Sequence, residues 1–221
     1  MNAIKIFPSL ISSPSLLNLG DIINQLSPYC DGFHVDIMDN HFVKNLSWGP
    51  SFVNQIAHFT NKPLSVHIMA EKPKGLIEQL KLKAKSSISF HVESGDNVDE
   101  ILTLIKAKKL IASIALKPET PFEKITPYLD NVDQLLLMSV EPGFSSQKFL
   151  PESFERLKKV VDYKQKKSLS FEIVMDGGIN KSNIHELVRL GCTGFCIASA
   201  IFDSESPVEA LKDLYVFALE G

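Results

Sequence analysis

The sequence has 221 residues, of which 44% are hydrophobic and 22% charged, and its 26 acidic and 23 basic side chains give a net charge of −3. This balance argues against nucleic acid as a partner, because nucleic-acid binding calls for a basic face or stripe. The apolar stretches are much shorter than the roughly 20 residues of a membrane-spanning helix, so we expect no membrane association. Three cysteines without C-x-x-C spacing favour a reducing cytoplasm over a disulfide framework.

Short apolar runs recur along the chain at intervals of 23 to 36 residues, about the length of one βα unit. The runs, which we interpret as strands, are Ile4–Phe7, Phe33–Ile37, Leu64–Ile68, Ile88–Val92, Ile111–Leu116, Leu135–Val140, Phe171–Met175 and Gly194–Ala198. The stretches between them predict amphipathic helices, the first with its apolar stripe running from Leu16 to Leu26. Asp96, Thr120 and Asn180 are typical helix-start residues.

Alternating strands and helices, with unbroken apolar strands, indicate a parallel sheet that is covered on both faces. Eight such units without a linker or a shift in composition predict an α/β fold, a single (β/α)8 TIM barrel domain spanning residues 1–221. An open, doubly wound sheet is the alternative.

Polar residues concentrate at the carboxyl ends of the predicted strands, where barrels of this kind carry their active sites. His34 and Asp36 alternate in the second run and therefore share a face. The other polar residues at run ends are His67, His91, Glu93 and Asp176. A lone histidine there is usually a hydrogen-bonded core residue, and a lone aspartate usually caps a helix or forms a turn. Two imidazoles and two carboxylates at one barrel mouth instead match a site for Zn²⁺ or a similar divalent ion.

Four methionines, Met38, Met69, Met138 and Met175, stand at or just past strand ends. Methionine usually fills a core, but here it could also shield a reactive intermediate from water. Met38 and Met69 share a face with the candidate ligands, which favours the site. Met138 is undecided on the residues alone, and Met175, which is out of phase with Asp176, is assigned to the core.

Two glycine-bearing segments follow the sixth and seventh runs, residues 140–147 (VEPGFSSQ) and 176–179 (DGGI), and residues 198–200 (ASA) follow the eighth. A Gly-Gly pair alone indicates only a tight turn. Backbone amides that follow the seventh and eighth strands, however, form the recurrent phosphate site of such barrels. We therefore expect a phosphate group here without a need for lysine.

Six segments, in order along nearly the whole chain, resemble the ribulose-phosphate 3-epimerase family. They are residues 7–11 (FPSLI), 33–39 (FHVDIMD), 42–45 (FVKN), 66–69 (VHIM), 139–144 (SVEPGF) and 176–178 (DGG). The resemblance implies a cytoplasmic, metal-dependent isomerase that interconverts D-ribulose 5-phosphate and D-xylulose 5-phosphate by moving the C3 proton through an enediolate. It also implies one divalent ion (Zn, Fe, Mn or Co), a small sugar phosphate as the ligand, and assembly as a homo-oligomer, either a dimer or a hexamer.

Position by position, the resemblance implies that His34, Asp36, His67 and Asp176 bind the ion, and that Asp36 and Asp176 are the acid–base pair, reaching the substrate from opposite sides of the barrel. It implies substrate contacts for Ser9, His67, Met38, Met69 and Met138, and phosphate binding by the backbone of Gly143, Phe144, Ser145, Ser146, Gly177, Gly178, Ala198 and Ser199.

The chain departs from the family pattern where Ser145, Ser146 and Ala198 replace glycine and where Lys44 replaces proline. Because serine and alanine keep the backbone amide, we expect the changes to affect the loop more than the reaction. Asn40, often glycine in the family, tolerates a left-handed backbone.

Three other functions compete with this interpretation. D-allulose 6-phosphate 3-epimerases share the histidine motifs and the late aspartate, although the Asp-Gly-Gly sequence at 176–178 favours the pentulose phosphate. A decarboxylase or aldolase-like barrel would rely on lysine chemistry. A non-catalytic barrel that binds a sugar phosphate would not need both carboxylates.

Overall fold

The structure, a computed structural model, describes residues 4–220 and contains eight parallel strands surrounded by helices. The strands are Lys5–Pro8 (β1), Phe33–Met38 (β2), Leu64–Met69 (β3), Ser87–His91 (β4), Ile111–Leu116 (β5), Gln134–Met138 (β6), Glu172–Asp176 (β7) and Gly194–Ile197 (β8). The α-helices are Leu19–Leu26 (α1), Pro50–Phe59 (α2), Pro73–Gln79 (α3), Val98–Ala107 (α4), Glu152–Lys166 (α5), Ile184–Arg189 (α6), Ser199–Phe202 (α7) and Pro207–Glu220 (α8).

The strands follow one another around the sheet in sequence order, and β1 pairs with β8. A backbone bridge between Ser9 and His34 brings the ends of β1 and β2 together and nearly closes the circle. A doubly wound sheet would instead reverse its strand order at a switch point. The predicted TIM barrel is therefore confirmed.

Strand alternation sorts the side chains into two buried layers. In β2, Phe33, Val35 and Ile37 belong to the large core between the barrel and the helices, whereas His34 and Asp36 lie inside the barrel. The interior carries most of its polar side chains on β2–β5, and further ones at Gln134 of β6 and Asp176 of β7. Its apolar part consists of Phe7, Ala115, Leu136, Met138, Val140, Val174 and Cys196. The polar part is where the sequence placed its candidate ligands.

Two predicted helix starts are displaced by a few residues. The cap of α4 is Asn97, whose side chain accepts a hydrogen bond from the Glu100 amide at 3.1 Å, rather than Asp96. Asn180 lies in the turn before α6, which begins at Ile184. Neither shift moves a strand end.

The helix expected after Thr120 does not form. Two short 3-10 turns, residues 122–124 and 126–128, take its place. Pro127 explains the difference, since a helix that began at Pro121 would place it in the interior, where proline supplies no backbone N–H and clashes with the preceding turn. At the N-terminal side, α1 begins at Leu19, and Leu16, predicted to be on its apolar stripe, is 54% exposed. Between residues 4 and 220, no helix has both the length and the apolar composition required to cross a bilayer.

Candidate active site

Four side chains meet at the carboxyl-terminal end of the barrel: His34, Asp36, His67 and Asp176. Alternation along β2 puts the first two on one face, and the strand register sets Asp36 beside His67 of β3. Asp176 ends β7. One donor atom of each residue lies within 4.8 Å of the other three. The structure thus brings together all four predicted metal ligands.

The distances within this group suit a small cation. His34 Nε2 lies 3.1 Å from Asp36 Oδ1 and 3.5 Å from Asp176 Oδ2. His67 Nδ1 lies 3.2 Å and 3.5 Å from the same two oxygens. Around Zn²⁺, bonds of about 2.0–2.2 Å in a tetrahedron place neighbouring donors about 3.3–3.6 Å apart. Both the donor types and their spacing therefore fit one divalent ion.

Charges of opposite sign stabilise one another in this buried group. Burial alone would lower the pKa of His34 and His67, but Cys196 and the two carboxylates beside His34, and the two carboxylates beside His67, outweigh burial and raise both. Burial alone would raise the pKa of Asp36 and Asp176, but His34 and His67 keep the pKa of both carboxyls below its usual range. Because histidine binds metal in its neutral form, a cation that enters this group must displace protons.

Three of the four candidate ligands are also held by a neighbouring polar group. His34 Nδ1 lies 3.1 Å from Ser65 Oγ, and the hydroxyl of Ser9 donates to Asp36 Oδ2 at 3.0 Å. His67 Nε2 lies 2.9 Å from Nε2 of His91, a contact that the sequence did not predict. Partners of this kind orient metal-binding side chains in proteins.

A cleft of about 540 Å³, part of it open to solvent, lies above the group. Every predicted site residue except His34 lines the cleft, and His34 is buried beneath it. Six lining residues were missed: Ile11, Val140, Pro142, Gln147, Ile179 and Cys196. Val140, Pro142, Gln147 and Ile179 belong to the segments 140–147 and 176–179 already singled out, but their residue types carry no chemical signature. The phase of β8, which puts Cys196 in the barrel interior, could have indicated another.

Of the four methionines, three line the cleft and one lies in the core, as the alternation of side chains along the strands requires. Met38 and Met69 are buried side by side with Val43 at the wall of the cleft. Met138, undecided from the sequence, lies in the barrel interior and also lines the cleft. Met175 is fully buried between the barrel and the helices, so its assignment to the core is confirmed.

Backbone conformation, rather than side-chain chemistry, shapes the other end of the cleft. Gly143, Gly177 and Gly178 have φ values of 122°, 112° and 65°. Ser146, one of the two serines in place of family glycines, also has a positive φ of 59°. Left-handed backbone is freely available to glycine and costs other residues energy, so the loop itself accounts for a preference for glycine there. Asn40 has the expected left-handed conformation, with φ of 60°.

Asp36 and Asp176 enter from strands that are three positions apart, through β1 and β8, rather than from diametrically opposed strands. The order of eight strands already implies this spacing, so the expectation of opposite sides was wrong. Oxygens of Asp36 and Asp176 nevertheless both lie within 3.5 Å of a ring nitrogen of each of the same two histidines.

Comparison with known proteins identifies the family to which this chain belongs. The profile of the ribulose-phosphate 3 epimerase family matches residues 5–202. The cytoplasmic isoform of ribulose-phosphate 3-epimerase from Oryza sativa is 34% identical over 216 residues, covering 96% of this chain and 93% of the relative. Ribulose-phosphate 3-epimerase from Escherichia coli K12 is 33% identical over 216 residues, covering 97% of this chain and 96% of the relative.

Solved structures with the same barrel are more distant in sequence. KGPDC from Streptococcus mutans superposes with a TM-score of 0.67 at 12% identity, over 97% of this chain and 98% of its own. Phosphoribosyl anthranilate isomerase from Thermococcus kodakaraensis gives 0.66 at 14% identity, over 99% and 100%. Such low identities show the fold alone. The family profile and the curated relatives, which agree along almost the entire barrel, show that this chain is an enzyme of the ribulose-phosphate 3-epimerase family.

Proposed function

We propose that this protein interconverts D-ribulose 5-phosphate and D-xylulose 5-phosphate with the help of one divalent metal ion. The observation that carries the proposal is the buried group of two carboxylates and two imidazoles at the floor of a cleft. Family membership supports the same reaction, since the curated relatives are named for it.

Epimerisation at C3 of a 2-ketose phosphate removes a proton next to a carbonyl group and returns one on the other face. Two carboxylates are the minimum apparatus, and Asp36 and Asp176 fill these roles, each acting as base for one epimer and as acid for the other. Interacting carboxylates titrate as a coupled pair, which allows one to be ionised while the other holds the proton. The hydroxyl of Ser9 fixes the orientation of Asp36 through Oδ2.

A divalent ion held by His34, Asp36, His67 and Asp176 would act as a Lewis acid for the negative charge that develops on the C2 and C3 oxygens. The thioethers of Met38, Met69 and Met138 line the adjacent wall and exclude water without offering a proton to the carbanion. This arrangement keeps the two aspartates as the proton donors closest to C3.

The phosphate group lies at the glycine-bearing end of the cleft. Backbone amides of 143–146, 177–178 and 198–199 are the donors, because the loops carry no lysine or arginine at these positions. Concentrated backbone amides bind anions in many proteins. We further propose a cytoplasmic homo-oligomer, in keeping with three buried, unpaired cysteines and the family resemblance.

The proposal is tested by incubating the protein with ribulose 5-phosphate in D₂O, with and without prior removal of metal by a chelator. We expect xylulose 5-phosphate to form, deuterium to appear at C3, and activity to return when a divalent ion is added back. Full activity in protein shown to contain no metal would contradict the metal dependence. Faster turnover of D-allulose 6-phosphate than of ribulose 5-phosphate would favour the alternative substrate.

A further inference from the structure

Two polar residues at the end of β4, His91 and Glu93, take no part in the reaction proposed above. His91 is fully buried, and its Nδ1 lies 3.1 Å from Glu93 Oε2. Its Nε2 lies 2.9 Å from Nε2 of His67, on the side of that ring that faces away from the carboxylates. The three side chains therefore form one hydrogen-bonded row that ends at the candidate metal group.

The direction of each hydrogen bond in this row is fixed from the Glu93 end. A carboxylate only accepts hydrogen bonds, so the proton between Glu93 and His91 belongs to His91 Nδ1. A neutral imidazole has one N–H, which leaves His91 Nε2 as an acceptor. A neutral His67, the form that binds metal, must then donate from Nε2, which leaves the lone pair on Nδ1. Without a cation, Nδ1 holds a second proton, which it donates to Asp36 Oδ1 at 3.2 Å.

We propose that Glu93 and His91 are positioning residues that set the tautomer of His67, so that its Nδ1 is free to bind the cation. The inference rests on the proposed function, since it requires a metal in that site. His34 has no equivalent control: its outer nitrogen contacts the hydroxyl of Ser65, which both donates and accepts hydrogen bonds. Glu93 and His91 thus select the tautomer of His67 but have no effect on that of His34.

The row is braced so that Glu93 cannot easily turn away. The other oxygen of Glu93 accepts a hydrogen bond from the Lys117 amide at 3.0 Å. Arg156 in turn donates to the Lys117 carbonyl at 2.7 Å and to the Met138 carbonyl at 2.9 Å, holding the ends of β5 and β6 together. The ring of Phe42 packs against His91, with ring centroids 4.8 Å apart.

This bracing makes Glu93→Gln an informative change. If the glutamine turns its NH₂ toward His91, both tautomers in the row reverse and His67 Nδ1 carries a proton. If it turns its oxygen toward His91, the NH₂ faces the Lys117 N–H and two donors oppose one another. Either orientation weakens the metal site while the side-chain volume stays almost constant.

The experiment measures Zn²⁺ affinity by competition with a chromophoric chelator. The variants are Glu93→Gln and, as a matched control, Glu172→Gln, because Glu172 pairs with Lys5 at the amino end of the strands, away from the cleft. We expect Glu93→Gln to weaken zinc binding about 10–100-fold, the usual effect of losing such a partner, and the control to match wild type. Circular dichroism and melting of each variant without zinc establish that both fold.

Nitrogen-15 spectra of the histidine rings in zinc-loaded wild type give a second readout that a merely structural role would not produce. We expect protons on Nε2 of His67 and on Nδ1 of His91. The opposite tautomers, or equal zinc affinity in Glu93→Gln and wild type, would overturn the inference while leaving the proposed function intact. A wild-type protein that binds no zinc or other divalent ion would overturn both.

Discussion

The two ends of the cleft are built from different parts of the polypeptide. The candidate metal end consists of strand side chains, and His34 and His67 are completely buried there. The candidate phosphate end consists of loop backbone, where the side chains of Ser145 and Ser146 are exposed. Side-chain chemistry therefore decides the function of the first end, and backbone conformation decides that of the second. Substitutions at the first end should therefore act through the loss of side-chain chemistry, and those at the second end through changes in backbone conformation.

The largest effect is expected from Asp176→Asn at the metal end. The change removes one proton-transfer group, which typically supplies about 10²–10⁴-fold in rate, and it also alters a candidate ligand. We expect epimerisation to be abolished with the fold retained. Initial rates with ribulose 5-phosphate, at equal metal content, provide the measurement. Asp162→Asn, an exposed position on α5, is the matched control. Activity within about threefold of wild type would disprove the two-carboxylate assignment.

At the phosphate end, Gly178→Val should act through the backbone. A Cβ at this position would lie 2.4 Å from the Phe149 amide nitrogen, and φ is 65°, a conformation that β-branched residues avoid. The first clash is therefore with the Phe149 backbone rather than with a bound phosphate. We expect at least about 2 kcal/mol of lost stability from strain and overpacking, together with a raised KM for ribulose 5-phosphate.

Chemical denaturation and steady-state kinetics separate these two consequences of Gly178→Val. Free ribulose lacks the phosphate and supplies the kinetic control. A variant with wild-type stability and an unchanged KM would show that this turn neither needs glycine nor borders the phosphate.

The methionines lie between the two ends and test whether burial at the wall of the cleft has a chemical role. Met38→Ala and Met69→Ala should each cost about 2–5 kcal/mol, because both side chains are buried. Met175→Ala is the control, since Met175 is equally buried but belongs to the outer core. We expect turnover per folded molecule to fall for the first two variants only, and more markedly than the melting temperature. Equal turnover in all three variants would show that Met38 and Met69 contribute only to packing.

The metal end was more predictable from the sequence than the phosphate end. His34 and Asp36 alternate within a strand, so their common face follows from the period of the strand alone. The contact between His67 and His91 was not predicted, because it depends on the register of β3 against β4 and on two side-chain rotamers. The loops were still less accessible: residue types indicate where a turn occurs, but not that Ser146 is left-handed.

Helix prediction from the sequence also failed in one segment. The segment after Thr120 has a helix-start pattern, yet it forms only 3-10 turns before β6. Met138 could not be assigned because the run from Leu135 to Met138 is apolar on both faces, and Gln134, which shares the face of Met138, was left outside the predicted strand. Such a strand gives no polar contrast from which to determine its phase.

We expect the smallest effects from substitutions at the positions where the chain departs from the family pattern. These substitutions test most directly whether the phosphate end depends on backbone rather than on side chains. Ser146→Gly keeps the amide and relieves a left-handed serine, which costs roughly 1 kcal/mol, so stability should rise slightly or stay level with KM unchanged. Ser145→Gly, outside the left-handed region, also keeps its amide but gains no such relief.

Lys44→Ala removes an exposed cation and should leave KM for ribulose 5-phosphate unchanged. If Lys44→Ala instead raises that KM about tenfold while Gly178→Val has no effect, the phosphate is bound by a side chain elsewhere, and the division between the two ends of the cleft is wrong.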